Sequence, residues 1–377
     1  MKVLRVLAAV AAPLTFVLAA VTGRAAEVPP AETPAAGMVE ETTYPSLDLL
    51  GFADAGYSAT DADSAASNSG FFQGQFVLHF TSQLSSRIAF FGEVSVTSGG
   101  SAYGDHGEAQ PTGANADLHR SILKYTHSDN LKLSIGRFHT PIGYWNVAFH
   151  HGPWLQTSIA RPRALDFANP FLPLHFIGAF AEGAIPSKGA NLGYLVGIGN
   201  GRGGGPGRPD APADINNHRA WVGRLSAKPD WVRGLQVGGS WYEDKVQTYY
   251  GPTRAEFREG IGAAYAALTR EKPELIAEYL QVRHRRIGRE DRFVSRAWYV
   301  QAAWRVSSKV KPYARWEDVR LDAGDHLMPG AANGRGWLAG VRLDASDFVA
   351  LKGEYQRREK DAGPFRNAVF GQAAFTF

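Results

Sequence analysis

Three features of the 377-residue sequence predict an all-β fold, a closed antiparallel transmembrane β-barrel of about sixteen strands. Several segments of about ten residues alternate apolar and polar side chains. Every second connection between these segments is short, and most of those between are long. The chain also ends on an alternating apolar strand with a terminal phenylalanine, Phe377.

The alternation is clearest over residues 297–306, and residues 70–84, 337–344 and 349–358 repeat it. Trp298, Val300 and Trp304 fall on one face, whereas Tyr299 and Gln301 fall on the other. An apolar outer face and a polar inner face are typical of a membrane barrel. A soluble β-sandwich with one wet face would alternate in the same way, so a second signal is needed.

The connections between strands provide that signal. The short ones lie at 85–86, 128–130, 186–190, 229–233, 271–273, 307–309 and 346–347. The long ones include 60–69, 99–117, 201–217, 322–333 and a central loop after the fifth strand. Outer-membrane barrels have short periplasmic turns and long outer loops, an asymmetry that a sandwich has no reason to keep. The pattern therefore favours the barrel and makes the central loop the third outer loop.

The N-terminus predicts export. Lys2 and Arg5 precede an apolar run over residues 6–21, and small residues follow near position 25. This pattern indicates a signal peptide over residues 1–26, with an N-terminal membrane anchor as the alternative. Residues 27–46 are rich in Pro, Glu, Ala and Thr and predict a flexible periplasmic tail. Residues 47–377 would then form the barrel in a bacterial outer membrane.

Composition excludes several functions. The formal charge is +4, and removing the signal cations Lys2, Arg5 and Arg24 leaves +1, so a nucleic-acid partner is not expected. The absence of cysteine excludes disulfides and thiolate metal sites. The sequence contains no Gly-x-Ser-x-Gly motif and no phosphate-binding loop that follows a strand. No enzyme activity and no cofactor are predicted, although a barrel hydrolase of lipids or esters could assemble Ser, His and Asp from separate strands.

The central loop, between Arg137 and Phe176, is predicted to fold into the barrel and narrow its pore. It is too long for a hairpin turn and is rich in proline and aromatic residues, which would not stay exposed to water. Gly193, Gly197 and Gly199 on the inner face of a nearby strand would leave room for it. The predicted constriction residues of this loop are His139, His150, His151, Arg161 and Arg163. The two arginines are the expected anion contacts.

The pair His150 and His151 raises the question of a metal site. Neighbouring side chains on an extended backbone point to opposite sides, and no nearby pattern of acidic residues completes a site. No metal site is therefore predicted here.

Charged residues with inward parity predict the pore lining. They are Lys124, Lys132, Arg224, Arg305, Arg315, Glu317, Arg342 and Lys352. One interpretation is a wall of both signs, solvated by pore water. The other is a basic ladder that concentrates anions, because walls of low dielectric focus the field of clustered charges.

The segments SIGRFHTPIGYWN, HHGPWLQTSIARP and GYLVGIGNGRG resemble the phosphate-selective porin O/P superfamily and its porin-like relatives, and the likeness is best over residues 131–202. The resemblance implies a sixteen-stranded porin, expected as a homotrimer in outer-membrane lipid, that passes small solutes or anions. A phosphate- or anion-selective channel is the alternative within that class. The terminal Phe377 resembles the signal read by the bacterial barrel-assembly machinery, which is therefore an expected partner.

Overall fold

The computed structural model describes most of the chain from residue 43 onward. The described residues are 43–61, 69–98, 114–166, 171–202, 216–250, 253–325, 327–328, 333–359 and 363–377. The predicted signal peptide and most of the predicted tail lie outside these residues. Among the helices that are described, none combines the length and the hydropathy that crossing a membrane requires.

Sixteen antiparallel strands form one closed barrel, as predicted. The strands are β1 (Asp48–Thr60), β2 (Gly70–Gln83), β3 (Ile88–Ser98), β4 (Ala114–Ser128), β5 (Leu131–His139), β6 (His175–Ile185), β7 (Leu192–Asn200), β8 (Ala220–Ala227), β9 (Leu235–Tyr250), β10 (Thr253–Thr269), β11 (Glu274–Arg286), β12 (Arg292–Ala303), β13 (Val310–Arg320), β14 (Gly334–Asp344), β15 (Val349–Arg358) and β16 (Arg366–Thr376). Each strand pairs with its neighbours in the chain, and β1 pairs with β16.

The two faces of the strands follow the sequence alternation. In β12 the outward Trp298 and Val300 are 39% and 46% exposed, whereas the intervening Tyr299 and Gln301 are 2% and 1% exposed. Strand β11 alternates in the same way over its full length. Because the outer face is apolar and the inner face carries the polar groups, the alternation has the sense of a membrane barrel.

The chain ends close the barrel. The amide of Gly51 donates to the carbonyl of Phe377 at 2.8 Å, and the amide of Phe377 donates to the carbonyl of Gly51 at 3.0 Å. The Phe377 ring lies 5.7 Å from the Phe76 ring. Closure leaves no sheet edge unpaired, which is a requirement for strands in lipid.

Residues 140–174, between β5 and β6, form the longest described connection and are called the central segment. It contains a short helix, α1 (Trp145–Ala148), and a 3-10 turn (Arg163–Leu165). Its Trp145, Leu165 and Phe171 are completely buried and pack with strand residues such as Tyr299. Phe167 and Pro170, also in the predicted loop, lie outside the described residues.

At two of the three inward glycines of β7, Gly197 and Gly199, the predicted packing of the central segment is wrong. A side chain at Gly197 would meet the Phe180 ring at 2.1 Å, and one at Gly199 would meet the Phe176 ring at 2.6 Å. Both rings belong to β6, the neighbouring strand. The space above these glycines is therefore filled by the adjacent strand.

Candidate functional site

Two buried carboxylates hold the backbone of the central segment. Glu278 of β11 accepts hydrogen bonds from the amides of Tyr144 and Trp145, at 3.2 Å for the second, and from the Tyr299 hydroxyl at 2.5 Å. Gly143, at φ +74°, permits this approach, because a Cβ there would lie 2.4 Å from the Glu278 carboxylate. These contacts fix the start of helix α1 on the barrel wall.

Glu354 of β15 plays the same part further along the segment. Its carboxylate accepts from the amides of Ile159 at 2.8 Å and Ala160 at 3.2 Å, and from the hydroxyl of Tyr313 at 2.9 Å. Buried backbone amides need such acceptors, because an unsatisfied donor costs about 1–3 kcal/mol. The two glutamates therefore replace the hydrogen bonds that regular secondary structure would supply.

Cations of the same wall bind the carbonyls of the segment. Arg315 donates to the carbonyls of Ala160 at 2.9 Å and Arg161 at 2.7 Å. Its Nε lies 3.3 Å from Glu317, which compensates the buried charge. Two further cations bind carbonyls in the same way. Lys352 donates to the carbonyls of Pro153 at 2.5 Å and Ser158 at 3.2 Å. Arg342 donates to the carbonyls of Trp154 at 2.6 Å and Gln156 at 2.9 Å.

We call these side chains of β11 to β15 the fastened wall. Its members are Glu278, Arg315, Glu317, Arg342, Lys352 and Glu354. All except Arg342 are at most 3% exposed. Most of the hydrogen bonds between this wall and the segment join a charged side chain to a backbone group, and one joins Arg315 to the Ser158 hydroxyl at 3.3 Å.

On the opposite side of the barrel, five buried histidines meet. They are His119 of β4, His139 of β5, His150 and His151 of the central segment, and His175 of β6. The rings of His150 and His151 have centroids 4.6 Å apart. The prediction that this pair points to opposite sides is wrong, because the chain bends at these positions and is not extended.

The two predicted anion contacts lie within the packed part of the segment. Arg161 is 7% exposed and donates to the carbonyl of Leu165 at 2.8 Å and to that of His150. Arg163 donates to the carbonyls of Glu359 at 2.5 Å and Asn333 at 3.0 Å, at the outer end of the barrel. In both residues these contacts are with backbone carbonyls.

A cavity of about 890 Å³ lies beside helix α1, between the segment and strands β5 to β9. Its charged and polar lining on the strands is called the open wall, and consists of Lys132, Glu182, Arg224, Ser226 and Gln236. Asp129 and Lys228 line it at the turns, and Tyr144, Val147 and Ala148 line it on the segment.

Arg224 joins the open wall to the segment. It donates to the Tyr265 hydroxyl at 2.7 Å, and its guanidinium lies 5.2 Å from the centre of that ring. The Tyr265 ring in turn packs against Tyr144 at 5.5 Å. Lys124 lies nearby and bonds to Glu182 at 2.6 Å, with both side chains partly exposed.

The predicted pore-lining residues thus separate into groups. Lys132 and Arg224 line the cavity, and Lys124 lies beside it. Arg315, Glu317, Arg342 and Lys352 belong to the fastened wall. Arg305 bonds near the short turns with Glu271 and, at 2.8 Å, with Asp344.

Sequence reasoning missed Glu278, His119 and His175. Glu278 could have been found from its parity, since Leu275, Ala277 and Tyr279 alternate outward around it. His119 lies at a register shift between β3 and β4, where Leu118 pairs with Val94 and Arg120 with Glu93. Alternation alone does not locate such a bulge.

No family model matches the chain, and no curated protein matches its sequence. Solved structures are similar in fold. OmpT of Vibrio cholerae, described as expressed in the outer membrane, is 15% identical, with a TM-score of 0.57 over 89% of this chain and 99% of its own. An anion-selective porin from Comamonas acidovorans is 13% identical and has a TM-score of 0.60; the match covers 88% of this chain and 100% of that porin. The outer membrane channel DcaP of Acinetobacter baumannii is 11% identical and has a TM-score of 0.57; the match covers 88% of this chain and 97% of that channel. The chain therefore has the fold of sixteen-stranded outer-membrane porins.

Proposed function

We propose that the protein is a porin of a bacterial outer membrane that lets small hydrophilic solutes diffuse passively. The carrying observation is the water-accessible cavity between the central segment and the open wall. An apolar outer face and the closed barrel support residence in lipid. The porin fold of the similar structures also supports this function.

In this proposal the central segment crosses the lumen and forms its constriction. Support comes from its contacts with strands on opposite sides of a closed barrel, with Gln75 of β2 and Ser240 of β9 as well as with the fastened wall. Solutes would pass between helix α1 and the open wall. His139, His150, His151, Arg161 and Arg163 would then act by holding the segment at this depth, since their contacts are with other protein groups.

An anion preference follows from the charges around the proposed path. The cavity is lined by three cations, Lys132, Arg224 and Lys228, and by two acids, Asp129 and Glu182. An excess of positive charge between low-dielectric walls raises the local anion concentration. Membership in the phosphate-selective O/P superfamily is the sharper form of this proposal, and it predicts phosphate block of chloride current.

A hydrolase is the less favoured function. Ser95 and His119 form a Ser–His contact, with Oγ 2.7 Å from Nε2. The other ring nitrogen of His119 lies 2.9 Å from His175 Nε2, where a catalytic triad would have a carboxylate. Both residues are at most 1% exposed, so among the described residues they are covered from an ester or lipid substrate.

Assembly is proposed to follow the pattern of such barrels. The exposed outward residues Phe76 and Phe375 would face lipid or a second copy in a homotrimer. One similar structure, of Vibrio cholerae OmpT, is described as a trimer form. Phe377 would direct the chain to the barrel-assembly machinery, so its deletion should lower the amount of heat-resistant protein in the outer membrane.

Current through planar lipid bilayers tests the function. Purified protein should produce stable, stepwise conductance, and a salt gradient should give a reversal potential on the anion side. A purified, folded barrel that gives no conductance would contradict the proposal. Ester or phospholipid hydrolysis that disappears in Ser95→Ala would favour the hydrolase instead.

A further inference from the structure

The histidine cluster lies away from the cavity, and none of its side chains lines the proposed solute path. Within it, His139, His150 and His151 form a trio in which the candidate ligand atoms all lie within 4.8 Å of one another. The three side chains come from two places in the fold, the end of β5 and the central segment. All three are less than a tenth exposed.

The hydrogen bonds of His150 fix the state of its ring. Asn146 uses its Nδ2 to donate to the carbonyl of Thr140 at 2.8 Å, so its Oδ1 is the atom that faces His150. His150 Nδ1 lies 2.8 Å from this oxygen and therefore carries the hydrogen. The neutral ring then has its lone pair on Nε2, the atom that a metal ion would bind.

His151 is held in the same state. Its Nδ1 lies 3.1 Å from Gln75 Oε1, an acceptor on β2. Its Nε2 lies 3.9 Å from Glu93 Oε1. In metal sites a ligating histidine usually donates from one ring nitrogen to an oxygen, and its other nitrogen faces the remaining metal-ligating atoms. His151 has this arrangement.

Glu93 supplies a negative charge beside the trio. It is fully buried on β3, and its Oε2 bonds to Arg120 and lies 3.4 Å from His139 Nε2. Its Oε1 lies 3.5 Å from His79 and 3.9 Å from His151, at or beyond the limit of a hydrogen bond. Glu93 thus lies beside two of the three imidazoles, those of His139 and His151, and would supply a carboxylate as the fourth donor.

A second trio, of His119, His150 and His175, is less suited to a metal ion. Both nitrogens of His119 already face partners, Ser95 at 2.7 Å and His175 at 2.9 Å. No carboxylate contact is described for this trio. The first trio therefore has the better donor set.

We propose that His139, His150, His151 and Glu93 bind one divalent transition-metal ion of the Zn²⁺ class. Three imidazoles and a carboxylate suit tetrahedral Zn²⁺, with Zn–N distances of about 2.0–2.1 Å. Ligand nitrogens would then be roughly 3.4 Å apart, so nitrogens now up to 4.8 Å apart must approach by as much as about 1.4 Å. The ion would join the central segment to β3 and β5, opposite the fastened wall. This inference concerns the cluster alone and does not depend on the channel function.

The test is metal binding by the full chain, purified in detergent without a histidine tag and stripped with a chelator. Titration with Zn²⁺ should give one site per chain, and Co²⁺ should give the intense visible absorption of a tetrahedral site. His151→Gln and His139→Gln should each weaken binding by about 100-fold or more, since even the loss of a supporting residue costs 10–100-fold. His127→Gln and His218→Gln, at exposed histidines, are the matched controls and should bind like the parent.

Heat-modifiable gel mobility checks that each variant is a folded barrel. A folded parent that binds less than one Zn²⁺ per chain would overturn the proposal. A loss of Zn²⁺ affinity in His127→Gln or His218→Gln as large as that in His139→Gln would also overturn it. Binding that survives His139→Gln and His151→Gln but disappears in His175→Gln would overturn this donor set and assign the ion to the second trio.

Discussion

The fastened wall and the open wall contain the same types of charged residue, but these residues have different contacts and exposure. Arg315 of the fastened wall is 1% exposed and donates to two carbonyls of the central segment, whereas Arg224 of the open wall is partly exposed beside the cavity. Both have inward parity on a barrel strand. The difference is the segment, which covers one wall and leaves the other accessible. A cation on the inner face of a strand therefore indicates pore lining only when the central segment is known not to cover it.

The largest effect should come from removing the cover. Replacing residues 149–170 by a short Gly/Ser linker takes away the part of the segment that Arg315, Lys352 and Glu354 bind, and leaves the contacts of Glu278 in place. We expect a folded barrel with several-fold higher single-channel conductance, because strand pairing does not depend on these residues. Bilayer recordings measure it, and heat-modifiable mobility confirms folding. Conductance equal to that of the parent would show that the segment does not limit the path.

The next effect should follow from cutting one fastening point. Glu354→Ala leaves the amides of Ile159 and Ala160 and the hydroxyl of Tyr313 without their acceptor. At about 1–3 kcal/mol for each unsatisfied buried group, the segment should loosen. Open-channel current should become noisier, and protease should cut the segment sooner. Ser226→Ala, on the open wall, is the matched control, and an equal response there would remove the distinction between the walls.

Removing cations from each wall should change the ion selectivity by different amounts. The pair Lys132→Gln and Arg224→Gln removes cations from the open wall and should move the reversal potential toward cations. The pair Arg315→Gln and Lys352→Gln removes cations that are covered, and should move it much less. A larger shift from the second pair would show that solutes pass along the fastened wall.

The smallest effect concerns salt. The Debye length is about 10 Å at 0.1 M and about 3 Å at 1 M. The shift produced by Lys132→Gln and Arg224→Gln should therefore shrink as the salt concentration rises, because water in the cavity screens these charges. Reversal potentials at a fixed salt ratio, measured at several mean concentrations, test this. A shift that does not change with salt would indicate that the two cations lie out of contact with pore water.

The sequence predicted the barrel well because its signals are local. Alternation in segments such as residues 297–306 depends only on which side each residue faces, and the sixteen strands are confirmed. The central segment was identified by its length and its place after the fifth strand. These features survive small errors in strand boundaries.

The contacts of the site could not be predicted, because they join residues far apart in the chain. Glu278 lies more than a hundred residues after the amide of Tyr144 that it accepts from. His150 and His151 meet His139 only because the segment bends, whereas the expectation of opposite sides assumed an extended backbone. Parity placed Lys352 on the inner face correctly but gave no information on what covers it.

The central claim, that the path follows the open wall, is tested most directly by cysteine accessibility. The chain has no cysteine, so single variants report on one position each. Ser226→Cys lines the cavity, and Ser158→Cys replaces a completely buried residue under Arg315 and Lys352. A water-soluble thiosulfonate reagent added during bilayer recording should lower the current through Ser226→Cys in discrete steps and leave Ser158→Cys unchanged. Rapid block of Ser158→Cys with no response from Ser226→Cys would contradict the account.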